Sequence, residues 1–129
     1  MLSAAAVVEE FIDQWHRSDL VDKMPEPMVT DNQGVVELTA IAVYEAHQDK
    51  GYASRALRML TALCDANGVT MKLVVRPLDP QLGLTPGCPA NRSADELAAW
   101  YDRHGFADAA EPGDDTRTMI RRPRTVSLR

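Results

Sequence analysis

The sequence contains little that could cross-link the chain or hold a metal. It has two cysteines, Cys64 and Cys88, and no Cys-x-x-Cys pair. Sequence motifs for structural zinc and for thiol redox chemistry are therefore absent, and neither a metal site nor a disulfide framework is expected. We expect Cys64 to pack in the core from the apolar face of a helix, whereas Cys88 lies in a Pro/Gly-rich loop where its thiol would be exposed.

Long apolar runs and targeting signals are missing as well. No apolar run approaches the roughly 20 residues that cross a bilayer. The short run from Ala4 to Val8 has no basic flank and leads directly into Glu9, which is not the pattern of a signal peptide. We therefore expect a cytoplasmic protein that does not associate with membranes. The 129 residues leave room for one domain, 1–129, and with aromatic residues at 5% its core must be largely aliphatic.

Acidic side chains are absent from the last part of the chain. Residues 1–116 hold nine basic and nineteen acidic side chains, a balance of −10, whereas residues 117–129 hold five arginines and no acid. The acidic body repels nucleic acid and favours cationic partners such as amines. The basic tail is a candidate contact for RNA or DNA. We nevertheless expect a solvated segment that leans on its own acidic body, and no nucleic-acid partner.

Hydrophobic periodicity predicts alternating helices and strands, which indicates an α/β or α+β domain whose helices cover the sheet. The strand signals are runs rich in Val, Ile and Thr, and the helix signals are apolar stripes with capping residues at their ends. A long Pro/Gly-rich loop, without regular structure, has the length of a lid or a binding loop. The predicted elements are helix 3–17 with a capped turn at Ser18, short strand 28–30, strand 35–43, helix 51–67, strand 69–76, loop 77–92, helix 93–104 and strand 116–122.

The segment between the first long strand and the second helix contains the pattern Gln48-x-x-Gly51-x-Ala53. A glycine and a small residue at a helix start let backbone N–H groups approach a phosphate, which the helix dipole also favours. The pattern resembles the acetyl-CoA pyrophosphate loop of the GNAT family of N-acetyltransferases. A second segment, Leu97 to Phe106, is similar to the later family helix that ends in Tyr-x-x-x-Gly-Phe. The resemblance covers about residues 35–122 and implies a GNAT-like mixed sheet flanked by helices.

The resemblance also implies where acetyl-CoA would bind. The residues around the CoA pyrophosphate would act largely through main-chain N–H groups, and the end of the long strand would pair with the pantetheine arm as an added strand does. The pyrophosphate residues would be Gln48, Asp49, Lys50, Gly51, Tyr52, Ala53 and Ser54, and the strand end would be Ile41, Ala42 and Val43.

Two residues are candidates for proton transfer. Glu37 stands eleven residues before Gln48, which resembles the placement of the catalytic glutamate in the histone acetyltransferase branch of the family. Glu37 would accept a proton from the amine, directly or through water; the alternative is a solvent-facing residue at a frayed strand start. Tyr101 matches the tyrosine of Tyr-x-x-x-Gly-Phe and would protonate the departing thiolate; the alternative is a core tyrosine.

The chain departs from the family pattern before its central strand, where no more than one short strand fits. The N-terminal half of the sheet is therefore reduced, and two alternatives stay open. The first is a minimal N-acetyltransferase, completed by a homodimer partner, that transfers the acetyl group of acetyl-CoA to a primary amine in a ternary complex. The acceptor would be a polyamine, an aminoglycoside or a protein amine. The second is a degenerate CoA-binding or protein-interaction module that binds a basic partner through its acidic face.

Overall fold

A computed structural model describes residues 2–43, 50–75, 85–86, 94–109 and 118–123. The described residues form three α-helices, a short 3-10 turn at Asp19–Asp22 and seven strands. In chain order the elements are α1 (Ala4–His16), β1 (Met28–Asn32), β2 (Val35–Ala40), β3 (Ala42–Val43), α2 (Tyr52–Asn67), β4 (Met71–Val74), β5 (Thr85–Pro86), α3 (Ala94–Arg103), β6 (Ala107–Asp108) and β7 (Thr118–Arg121).

Helix α1 begins where its sequence supplies a cap. The Ser3 hydroxyl accepts a hydrogen bond from the Ala6 N–H at 3.2 Å, which satisfies one of the backbone donors that a helix start leaves unpaired. One face of the helix, with Phe11 and Trp15, is buried and packs against β1, β2 and α2. Ser18 then caps the 3-10 turn by accepting from the Leu20 N–H. The predicted helix and its capped extra turn are both confirmed.

Five strands form the main sheet, in the order β1-β2-β4-β7-β6. Strands β2 and β4 are parallel, and the other three pairs are antiparallel. The hairpin between β1 and β2 turns at Gln33 and Gly34, both at positive φ, which is the geometry of a two-residue hairpin turn. The short strand predicted at residues 28–30 is present and extends to Asn32.

The sheet has two faces of different character. The helix-facing side, here called the inner face, carries buried residues that are aligned across the strands: Val36, Leu38, Met71, Leu73, Met119 and Arg121. The opposite side, here called the outer face, carries a row of side chains in register: Thr30, Glu37, Lys72, Ile120 and Ala107. This row is half-buried at its centre and exposed at both ends. The inner face is therefore the core, and the outer face is polar.

The prediction of one continuous strand over 35–43 is wrong. The chain leaves the main sheet at Ile41, and Ala42–Val43 pairs with Thr85–Pro86 in a separate two-stranded sheet. The paired register of β2 with β4 extends from Val36 to Leu38, so the chain beyond Ala40 takes another partner. A run of Val, Ile and Thr favours extended backbone but does not select that partner. The same pairing places a strand inside the predicted loop 77–92, whose other residues lie outside the described part.

A buried ion pair joins the last strand to both later helices. The guanidinium of Arg121 contacts the two carboxylate oxygens of Asp65 on α2, at 2.7 and 2.9 Å. Its Nε donates to the His104 carbonyl oxygen, just after α3, at 2.8 Å. Only 4% of the Arg121 side chain is exposed. The C-terminal ends of α2 and α3 are thereby held on the inner face beside β7, and the predicted mixed α/β fold is confirmed.

Candidate functional site

The two parallel strands at the centre of the sheet part near their C-terminal ends. Strand β2 stops at Ala40 and β4 stops at Val74, and the chain after β2 turns to β5. An open cleft of about 80 Å³ lies at this point, lined by Glu37, Leu38, Thr39 and Val74. Because carboxyl ends of parallel strands are where open α/β sheets hold their ligands, we regard this cleft as the candidate active site.

Helix α2 begins at Gly51, which adopts φ +79° and ψ 12°. This left-handed backbone is costly for a residue with a Cβ atom, so glycine has a structural reason to occupy the position. A Cβ built on Gly51 meets no heavy atom within 4 Å, and the glycine provides no side-chain cap. The start of α2 is therefore open on this side, and its first-turn N–H groups and its dipole suit an anionic group such as a pyrophosphate.

The first turn of α2 is also in contact with α3. The indole N–H of Trp100 donates to the hydroxyl oxygen of Ser54 at 3.0 Å. Trp100 is 2% exposed, so the bond satisfies a buried donor. The Ser54 hydroxyl accepts through its oxygen and keeps its hydrogen for donation. Trp100 is adjacent to Tyr101, and thus the two predicted motifs meet through this bond.

Two residues beside the first turn of α2, Asp19 and Lys23, were not identified by sequence reasoning. Asp19 in the 3-10 turn binds the Arg55 guanidinium at 2.7 and 3.3 Å. The Tyr52 ring lies near two cations, 6.0 Å from Lys23 Nζ and 5.8 Å from the Arg55 guanidinium carbon. The Arg55 hydrogen bond lowers the pKa of Asp19, so that carboxyl is ionised at neutral pH. The partners are 36 residues apart in sequence, and no local pattern indicates them.

Glu37 lies inside β2 and not at a frayed strand start. It is the third residue of the strand, with Thr30 and Lys72 beside it in register on the outer face. Its side chain is half-buried and borders the cleft. Asn32 Nδ2 donates a hydrogen bond to Glu37 Oε2 at 3.1 Å. The carboxylate thus accepts a hydrogen bond from a neutral amide at the β1–β2 turn.

Tyr101 is buried in the α3 helix, with 9% of its surface exposed. Its ring packs against Trp100 at 4.9 Å and against Phe106 at 5.6 Å between centroids. The Phe106 N–H donates to the Tyr101 carbonyl oxygen at 3.2 Å, so the chain folds back after Gly105 as predicted. Burial raises the pKa of Tyr101 to about 12, and the phenol therefore keeps its proton at neutral pH.

The structure describes the remaining predicted cofactor residues to different extents. Ile41 and Ala53 are buried, and Lys50 is exposed immediately before Gly51. Ala42 and Val43 are described by their backbone, which is paired with β5 along one edge. Gln48 and Asp49 lie outside the described residues.

Metal-binding clusters and membrane-spanning helices are both absent from the described residues. Within those ranges no three His, Cys, Asp or Glu side chains lie close enough together to hold a metal ion. None of the helices that the structure describes has the length and apolarity required to cross a membrane.

Comparison with known proteins gives one match. The family model described as "Acetyltransferase (GNAT) family" matches residues 12–82, which is more than half of the chain. The match begins within α1, earlier than the resemblance predicted at 35, and it ends before α3 and Tyr101. Neither the curated proteins nor the solved structures gave a match. The matched segment carries the parallel strands, their cleft and the glycine-initiated helix, and the chain therefore belongs to the GNAT family of acetyltransferases.

Proposed function

We propose that the protein is an N-acetyltransferase that transfers the acetyl group of acetyl-CoA to a primary amine by direct attack in a ternary complex. The observation that carries this proposal is the start of α2. Gly51 holds a left-handed backbone with open space on its side, and the helix it opens contacts β3, the strand that follows β2. This arrangement fits an anionic cofactor that approaches the backbone closely.

The residues around Gly51 would hold the CoA pyrophosphate. The backbone N–H groups of Tyr52, Ala53 and Ser54 belong to the first turn of α2, the end at which a helix favours an anionic group. Ser54 adds a hydroxyl hydrogen, and the segment from Gln48 to Lys50 would complete the loop. Pairing with the pantetheine arm would use the edge of Ile41–Val43 that does not face β5, because β5 occupies the other edge.

The chain supplies two groups for proton transfer. The bound cofactor supplies the acetyl group as an activated thioester. Glu37 borders the cleft, where its carboxylate can accept the proton that the attacking amine loses. Tyr101 is protonated at neutral pH, as a phenol ordinarily is, and burial raises its pKa further, to about 12. Its hydroxyl would donate that proton to the departing thiolate. Each such positioned group contributes about a hundredfold or more to turnover.

Calorimetric titration with acetyl-CoA and with CoA tests the cofactor assignment. We expect submillimolar binding that Gly51→Glu abolishes, because a carboxylate would occupy the place of the phosphate. Gly34→Glu is the matched control: Gly34 also has positive φ, +82°, and open space around its Cβ position, but it lies in the β1–β2 turn. Equal loss of binding in the two variants would contradict the assignment.

Release of CoA thiol in the presence of amines tests the activity itself. We expect turnover that depends on both acetyl-CoA and an amine. A protein that binds neither CoA nor acetyl-CoA, yet retains a stoichiometric basic partner, would instead be the non-catalytic interaction module.

A further inference from the structure

The outer face places a cation directly beside the candidate base. Glu37 and Lys72 are register partners on the parallel strands β2 and β4, and neighbouring strands lie about 4.8 Å apart. Both side chains are half-buried at mid-strand. The Glu37 carboxylate accepts from Asn32, and within the described residues no ion pair joins it to Lys72. The ammonium group of Lys72 is therefore left without an anionic partner among those residues.

A second cation lies on the same face, one strand further along. Ile120 is the register partner of Lys72, and Arg122, two residues later, has an exposed side chain. Together they border a hollow of about 390 Å³, which is also lined by Gly105, Ala107, Asp108 and Ala109. Across the outer face the order is thus carboxylate, ammonium, and then a hollow with an exposed guanidinium at its rim.

From this order we propose that the acceptor is a zwitterion, an amine that carries a carboxylate next to it, as a free amino acid does. The proposal rests on the proposed function, since it assigns the acceptor of that same site. The amine would lie at Glu37 and the carboxylate at Lys72, because the two side chains leave neighbouring strands on one face and each can reach one of the two adjacent charges of an α-amino acid. The side chain of the acceptor would extend over Ile120 into the hollow.

The positive charge of Lys72 disfavours the other candidate acceptors. A polyamine or an aminoglycoside would place a further positive charge against Lys72, and like charges at that distance are unfavourable. Arg122 carries less weight, because Asp108 lines the same hollow. A protein amine has a neutral amide where the amino acid has its carboxylate, and so would leave Lys72 without a counter-charge. A zwitterion has no net charge, so its binding depends on the local charges of Glu37 and Lys72 and not on the net charge of −5, which by itself favours cations.

The test compares acceptors that differ in the carboxylate. CoA release would be measured with free amino acids, with the carboxamide and the decarboxylated amine of each, and with a polyamine. Because a hydrogen bond between charged groups is stronger than one between neutral groups, we expect kcat/KM for the best amino acid to exceed that for its carboxamide by about tenfold or more. Equal values for the pair would overturn the proposal.

Substitutions of Lys72 test whether this residue causes the preference for an acceptor with a carboxylate. Lys72→Gln should remove the preference for the carboxylate, Lys72→Arg should retain it, and Lys72→Glu should reverse it toward the decarboxylated amine. Arg103→Gln, an exposed cation on α3, is the control and should leave the ratio unchanged. A lower affinity for acetyl-CoA in Lys72→Gln, with the preference intact, would assign Lys72 to the cofactor and overturn the proposal.

Different results would overturn the zwitterionic acceptor and the acetyltransferase activity. Transfer to amines without regard to the carboxylate overturns the zwitterion and leaves the acetyltransferase standing. No acetyl-CoA binding and no thiol release with any amine overturns both.

Discussion

The indole nitrogen of Trp100 lies 3.0 Å from the hydroxyl oxygen of Ser54. This bond connects the first turn of α2, where the pyrophosphate would bind, with the helix that carries Tyr101. A change at the start of α2 therefore reaches Tyr101 through one side-chain contact and one peptide unit. Cofactor binding and the position of the proton donor should be coupled.

Removing the Ser54 hydroxyl should weaken both functions of that contact. We expect Ser54→Ala to lower the free energy of unfolding by about 1 kcal/mol, because a buried donor loses its acceptor, and to lower the affinity for acetyl-CoA. Trp100→Phe should lower stability while leaving the affinity closer to that of the wild type. A double-mutant cycle in urea unfolding measures the coupling, and strict additivity of the two changes would contradict it.

Tyr101→Phe tests the proton donor without disturbing the packing of the ring. We expect kcat to fall by about a hundredfold, whereas the dissociation constant for acetyl-CoA and the urea midpoint should hardly change. The hydroxyl is lost but the ring contacts to Trp100 and Phe106 remain. Steady-state kinetics with calorimetry on the same sample separates the two effects. Wild-type turnover in the variant would remove Tyr101 from the mechanism.

Arg121→Met should be the most destabilising single change among these. It leaves the Asp65 carboxylate without its guanidinium partner and frees the His104 carbonyl oxygen, and breaking a buried ion pair costs about 3–5 kcal/mol. Arg122→Met, at the next position, is exposed and serves as the control with little loss. Urea unfolding followed by circular dichroism compares the two. Similar midpoints for both variants would show that the pair contributes little.

Alkaline pH should destabilise the protein partly through Cys64. Burial raises the pKa of this thiol from 9.0 to about 12, so the unfolded chain releases its proton at lower pH than the folded chain does. The stability due to the protonated thiol is complete below pH 9 and is lost as the pH rises toward 12. Cys64→Ala should therefore show a shallower decline of unfolding free energy over that window. Parallel curves for wild type and variant would contradict the shift.

The features predicted best from the sequence were those set by local chemistry. The capped turn at Ser18 and the helix that opens at Gly51 each depend on residues within a few positions of one another. The GNAT resemblance rested on two such local patterns, and the family match confirms it. The short strand predicted at 28–30 is present, and its pairing with β2 is a finding of the structure.

Partners that are distant in sequence could not be predicted in the same way. The division of the long strand at Ile41 depends on a partner more than 40 residues later, and the Arg121–Asp65 pair spans 56 residues. Lys72 was not identified from the sequence, because a single lysine within a strand belongs to no recognisable sequence motif. Its importance follows from its register beside Glu37, which sheet pairing alone determines.

The family match ends before β7, but the folded sheet includes β7. The family model ends at residue 82, yet β7 completes the hydrogen bonding of β4 and delivers Arg121 to Asp65. A fragment cut at the end of the match would leave β4 as an open edge, with Met71 and Leu73 beside an unpaired backbone. Such edges recruit strands from other molecules. The segment that identifies the family therefore ends before β7, whereas the sheet needs β7 to cover the edge of β4 and so avoid aggregation.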